Sequence, residues 1–161
     1  MIRPAVFADA AAISRIYNHS VLHSTATYQE QAETVAEREA WLRQHGPAHP
    51  VLVAEVGGEI AGWASLSPFH PRSAFRHTVE SSVYIDERFH RRGLGRQLME
   101  ALIGRARAAG HHVIVAAISG DQAASLRLHE SLGFAKAGHL HEVGRKFGRW
   151  LDLVTMELRL E

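Results

Sequence analysis

The chain has 161 residues, a net charge of +1 with its histidines neutral, and no cysteine. That length suits one compact domain, which buries roughly 70% of the surface its unfolded chain exposes and needs no covalent staples. The missing cysteines exclude disulfides, thiolate metal sites and a cysteine nucleophile and fit a reducing compartment, while the near-neutral charge gives no field that calls for nucleic acid.

The segment from Met1 to Asp9 lacks the apolar stretch of a signal peptide, and no window approaches the ~20 apolar residues of a membrane span. The expectation is a cytoplasmic single-domain protein, residues 1–161, with neither a membrane nor a nucleic-acid partner. The twelve histidines are scattered. No His-Glu-x-x-His or comparable ligand spacing appears, so no metal is expected.

In chain order, Asp9 is placed to cap a helix whose apolar face is Ile13, Ile16, Tyr17 and Val21. Val35, Glu39 and Leu42, with Trp41 beside them, suggest a second helix, broken by Gly46-Pro47 and Pro50. Val51–Val56 and Glu59–Leu66 read as strands around a Gly57-Gly58 hairpin turn. Residues 67–76 carry two prolines and read as a loop, and Thr78–Ile85 alternates as a strand. Leu94, Leu98, Leu102 and Ala106 repeat at helical spacing, and Gly110 ends that helix. Val113–Ile118 is an apolar run suited to a strand buried on both faces. Ala124–Leu132 is a helix stopped by Gly133. Strands near 134–143 and 151–159, joined by a turn over Gly144–Trp150, complete an α/β layered fold around a mixed, mostly antiparallel sheet.

The segment from Tyr84 to Leu98 is the most informative. A strand ends, a basic loop with Gly93 and Gly95 follows, and an amphipathic helix begins. Glycines let backbone N–H groups reach the surface, and unpaired donors at a helix N-terminus favour an anion. Arg91, Arg92 and Arg96 add positive charge there. The pattern points to a diphosphate site, with a solvated basic helix cap as the other reading. A dinucleotide fingerprint fits less well, because no glycine or alanine occupies its third position.

His90-Arg91-Arg92-Gly93-Leu94-Gly95 resembles the acyl-CoA loop of the GNAT N-acetyltransferases, Gln/Arg-x-x-Gly-x-Gly/Ala, with His90 in place of Gln/Arg. Ala124–Phe134 resembles the helix and Gly-Phe that flank pantetheine and thioester in that family, with Gln122 where an Asn is usual. Ile16-Tyr17-Asn18, Ala26-Thr27-Tyr28, Thr78–Tyr84, Leu128-His129-Glu130 and Gly144–Trp150 resemble the phosphinothricin and methionine sulfoximine (or sulfone) acetyltransferases. The resemblance implies a sheet of six to seven strands with four helices, acetyl-CoA as co-substrate, a homodimer, and an amino-acid α-amine as acceptor.

It also implies site roles. Val83, Tyr84, Ile85, the loop from His90 to Arg96, Gln122 and Ser125 would hold acetyl-CoA, with an oxyanion donor near the Val83 N–H. Glu80 shares a strand face with Ser82 and Tyr84 and would be the base. Its other reading is a rim carboxylate in a salt bridge. His129 lies one turn after Ser125 and would carry a proton, or else be structural. Arg72 and Arg76 would pair with an acidic group of the substrate, unless they are simply solvated. Tyr28, Phe75, Lys146, Phe147, Arg149 and Trp150 would complete the pocket. His70 and Phe75 replace an Arg and a Tyr frequent in that subgroup, which bears on substrate choice. Another amine as acceptor, or a CoA-binding module without catalysis, are the alternatives.

Overall fold

The computed structural model describes residues 1–161. Seven strands and four α-helices alternate along the chain: β1 Ile2–Pro4, α1 Ala10–His23, α2 Val35–Arg43, β2 Val51–Val56, β3 Glu59–Pro68, β4 Thr78–Ile85, α3 Leu94–Ala108, β5 Val113–Ser119, α4 Ala123–Ser131, β6 Ala135–Lys146 and β7 Arg149–Arg159. They form one sheet in the order β1-β2-β3-β4-β5-β7-β6. Every neighbouring pair is antiparallel except β4 with β5.

Period-two alternation divides the core between the sheet's faces. Leu52, Leu66, Val79, Ile114, Val154 and Met156 meet Leu98 and Leu102 of α3 in the larger cluster. Val51 and Val53, which flank Leu52, and Trp63, opposite Val53 on β3, turn to the other face and pack on Ile13 and Ile16 of α1. Each such aliphatic side chain contributes about 1.5–3 kcal/mol by burial.

Local chemistry departs from the sequence expectation in four places. β5 is fully buried on one face only: Ile114, Ala116 and Ile118 are inside, while Val113 and Val115 are half-buried and Ala117 is exposed. Asp9 does not cap α1 with its side chain; the carboxylate accepts from Val6 N–H and from Arg3 at 2.8 Å instead. That guanidinium helps hold it below the usual carboxylate range, against a burial effect that is the largest single influence and opposes the shift. The final hairpin is longer than expected. β6 runs to Lys146 and β7 starts at Arg149, because Phe147 (φ 52°) and Gly148 (φ 72°) both turn left-handed. A two-residue turn of that kind matches the twist of its strands. Finally, Ser67 and Pro68 belong to β3, and the loop after them holds a short 3₁₀ turn over Ser73–Phe75.

Candidate active site

The parallel ladder between β4 and β5 is short. It pairs Thr78 with Val113, Val79 with Ile114 and Glu80 with Val115, and then stops. Beyond it β4 stays on β3 as far as Ile85, and β5 stays on β7 as far as Ser119. The strands splay, leaving the facing edge of Ser81–Ile85 without a strand partner. Apart from the Ile85 carbonyl, which accepts from His90, its outward backbone donors and acceptors are open to an extended ligand that carries amides.

Both helices beside this gap start at its open end. The chain leaves Ile85 through Asp86, whose carboxylate accepts from Arg88 N–H at 3.0 Å and from Arg15 Nη1 at 2.7 Å. The Arg88 guanidinium first, then Arg15, hold that carboxyl well below the usual range. Arg91 (φ 63°) and Gly93 (φ 76°) bend the backbone into α3. First-turn N–H groups of Leu94, Gly95 and Arg96 have no acceptor within the helix. His90 donates from Nε2 to Ile85 C=O at 3.0 Å, closing the loop onto β4. A Cβ added at Gly95 would lie 3.4 Å from Leu128 of α4 and 3.9 Å from Ile85, so loop, strand end and α4 converge there.

The basic cluster of the sequence divides in space. Arg88 is bound to Asp86 and Glu59, so it is not free for a ligand. Arg96 bridges Ser131 and Glu100, both at 2.9 Å. Arg91 and Arg92 are exposed at the loop.

On the α1–α2 face, cross-strand pairing stacks Trp63 beside Tyr84, Ser65 beside Ser82 and Ser67 beside Glu80. A groove of about 490 Å³ runs over Trp63, Ser65, Ser82 and Tyr84, walled by Tyr17 and Trp41. A second cleft of about 320 Å³ is lined by Thr78, His70, Arg72, Phe75 and Arg76. Thr78, Glu80 and Ser82 alternate on one face, so Glu80 stands between the two. Glu80 is half-buried and has no cationic partner, and burial raises its carboxyl above the usual range. The salt-bridge reading of this residue finds no bridge.

Two buried side-chain polar atoms lack a partner, Trp63 Nε1 and Ser81 Oγ. Trp63 floors the groove, and Ser81 is the first β4 residue past the last β4–β5 pair. Such orphans are rare in folded chains and gather where something else binds.

The comparison with known proteins agrees with this geometry. The family model for the GNAT acetyltransferases matches residues 13–134. The chain belongs to the GNAT acetyltransferase family. It is 46% identical over 161 residues to the L-methionine sulfoximine/L-methionine sulfone acetyltransferase of Salmonella typhimurium, covering 99% of this chain and 94% of that one. It is 40% identical to the phosphinothricin N-acetyltransferase of Streptomyces viridochromogenes, over 94% of this chain and 83% of that one. The structure of a Salmonella typhimurium acetyltransferase with acetyl-CoA superposes with a TM-score of 0.97 at 46% identity, covering 100% of this chain and 94% of that one.

Several residues expected at the site spend polar groups on partners within the fold or lie exposed on the last hairpin. Lys146 is buried, and its ammonium donates to the carbonyls of Ser20 at 3.3 Å, Ser24 at 2.6 Å and Thr27 at 2.8 Å. All three donors are spent on the C-terminal end of α1 and the chain beyond it, so Lys146 has none for a substrate. Tyr28 lays its ring over Gly144, where a Cβ would come within 2.8 Å, and its hydroxyl reaches Asp152 C=O at 2.5 Å. Gln122 spends its amide nitrogen on Thr25 Oγ1 at 2.8 Å. Arg149 reaches Asp121 at 3.3 Å, while Phe147 and Trp150 lie exposed on the β6–β7 hairpin.

His129 is buried edge-on to Phe134, and its Nδ1 lies 2.7 Å from Ser125 C=O. A carbonyl only accepts, so Nδ1 carries the proton and Nε2 is the basic nitrogen. Burial lowers its pKa, which keeps the ring neutral.

Sequence reasoning missed Arg38. It is buried against the groove, its guanidinium 4.8 Å over the Tyr17 ring, 4.3 Å over Trp41 and 5.0 Å over Trp63, and paired with Glu33. The only local signal was Trp41 one helical turn further on.

Proposed function

We propose that this chain transfers the acetyl group of acetyl-CoA to the α-amine of a small amino acid whose side chain ends in a tetrahedral, oxygen-bearing sulfur or phosphorus. The carrying observation is Glu80: an unpaired carboxylate made more basic by burial, level with the point where β4 and β5 separate, and between two cavities. The relatives named above, acting on methionine sulfoximine, methionine sulfone and phosphinothricin, support the acceptor class.

In this reading, pantetheine lies along the free edge of Ser81–Ile85 and the diphosphate rests on the N–H groups of Gly93–Arg96 beside Arg91 and Arg92. The acceptor's ammonium gives a proton to Glu80, directly or through a water, and the freed amine attacks the thioester carbon. A new C–N bond forms and the oxyanion takes a hydrogen bond from Val83 N–H. The C–S bond then breaks, the attacking nitrogen gives up its second proton as the amide forms, and CoA leaves as a thiolate that takes that proton up, while Glu80 returns the first to water. His129 Nε2 is a second acceptor on that route. Arg72 and Arg76 grip the acidic groups of the substrate through forked hydrogen bonds, with Phe75 and His70 shaping the cleft. Their replacement of a phenol and a guanidinium shifts which member of the class is preferred.

Phe147 and Trp150, each more than half exposed at the tip of the β6–β7 hairpin, support a homodimer formed there. Use of acetyl-CoA, a metabolite of the cell interior, supports a cytoplasmic location. No helix is long and apolar enough to cross a membrane.

Free-CoA release from acetyl-CoA, with methionine sulfone, methionine sulfoximine and phosphinothricin as separate acceptors, tests the proposal. Turnover with at least one supports it. Acetyl-CoA binding with no turnover on any of the three would leave a binding module or a different amine.

A further inference from the structure

We infer that His139, His141 and Asp152 form a surface site for one borderline divalent transition-metal ion, for which Zn²⁺ serves as the probe. His139 and His141 are two apart on β6, and their rings lie parallel within 8° at a centroid distance of 4.3 Å. Asp152 faces them from β7 across a bulge. The register steps from Leu140 opposite Leu153 to Gly144 opposite Leu151, so His141, Glu142 and Val143 stand against Asp152 alone.

The bulge also orients the carboxylate. Glu142 adopts φ 54° and donates its N–H to Asp152 Oδ1 at 2.8 Å. Oδ2 is left pointing at His139 Nε2, 2.8 Å away. The ligating atoms of the three residues all lie within 4.8 Å of one another. Zinc bonds of about 2.0–2.1 Å bring ligands to roughly 3–3.5 Å apart, so the exposed imidazoles must tilt out of their parallel stack for their in-plane lone pairs to converge on one ion. The ion replaces the His139–Asp152 hydrogen bond, and the Glu142 N–H becomes an outer contact that holds the ligating carboxylate.

Two imidazoles with one carboxylate select the metal class. Mg²⁺ and Ca²⁺ call for more oxygen ligands, and Cu(I) for thiolates or thioethers. Both histidines are exposed, so the ion has an entry path and room for water in its remaining positions. None of the three side chains lines the groove or the cleft. The bound ion therefore acts on the hairpin, tying β6 to β7 at its irregular point. A His-x-His pair on a strand escapes helix-spacing motifs, and its third ligand comes from the next strand.

Two other histidine pairs come close, His19 with His23 on α1 at 4.9 Å between ring centroids and His49 with His111 at 5.7 Å, and the test must separate them from the hairpin site. Tag-free, chelator-stripped, full-length protein is titrated with ZnCl₂ by calorimetry, and melting is followed with and without the ion. One Zn²⁺ should bind per chain. His139→Ala and His141→Ala should each weaken binding at least tenfold and abolish the zinc-dependent rise in Tm, while their metal-free Tm stays near wild type. His19→Ala and His111→Ala should bind zinc as wild type does. Undiminished zinc affinity in the His139→Ala/His141→Ala double variant, binding lost in His19→Ala or His111→Ala instead, or no uptake by the wild type would each overturn the assignment.

Discussion

Glu80 pairs with Val115 as the last residue of the parallel β4–β5 ladder, so its carboxylate stands at the level where the sheet opens. A base at that level has the gap beside it in the plane of the sheet and the acceptor cavities on its own face. The first prediction concerns this residue and pH. If Glu80 is the base as proposed, activity needs it ionised, and burial raises its pKa, so kcat/KM should climb with pH through a value above the ordinary glutamate range. Glu80→Gln should remove that limb of the profile, as a pH–rate series on both proteins would reveal.

Stability should move the other way. A carboxyl whose folded pKa is raised favours the folded state while protonated, and that contribution disappears as pH rises through the folded pKa. Above it, wild type carries a buried unpaired charge that Glu80→Gln lacks. The variant should melt about 2 °C higher at neutral pH, with the difference vanishing below pH ~4. Thermal melts at the two pH values decide this.

Lys146 should prove structural. Lys146→Met leaves the carbonyls of Ser20, Ser24 and Thr27 without their buried donor and should cost about 2–4 kcal/mol by urea unfolding. The acceptor KM should stay within about threefold of wild type; a large rise in KM at unchanged stability would return Lys146 to the substrate.

Arg38 and Glu33 should behave as a unit. Arg38→Met strands a carboxylate beside the groove and should cost about 3–5 kcal/mol, whereas adding Glu33→Gln should restore much of it. A double-mutant cycle in urea measures the coupling. Additive losses would mean that the cation's stacking on Tyr17, Trp41 and Trp63 carries the stability without the ion pair.

Gly95→Arg should weaken acetyl-CoA binding more than tenfold, because its side chain enters the space where α3, Ile85 and Leu128 converge. Calorimetry with CoA checks it, and circular dichroism confirms that the fold is kept.

Much of this was legible in the sequence because single segments carry it. The face of Leu94, Leu98, Leu102 and Ala106 is buried as its spacing demands, and the Gly57-Gly58 turn takes its two positive φ angles. The placement of Glu80 on a strand that runs through a glycine loop into a helix was readable because strand, loop and helix follow one another directly. What stayed hidden depends on partners far along the chain. Lys146 meets α1 across more than a hundred residues, Tyr28 meets Asp152, and Gln122 meets Thr25. A polar side chain near a pocket motif looks the same in sequence whether it faces a ligand or a distant carbonyl. Arg38 was missed for a related reason: three of the groups around it, Tyr17, Trp63 and Glu33, come from other elements.

The most direct test of Glu80 as the base pairs two readings on one variant, acetyl-CoA affinity by calorimetry and free-CoA release with the best acceptor. For Glu80→Gln, turnover should fall about 10²–10⁴-fold while acetyl-CoA affinity stays within about twofold of wild type. Turnover retained at the wild-type rate, or turnover and affinity lost in equal measure, would contradict the role of Glu80 as the base.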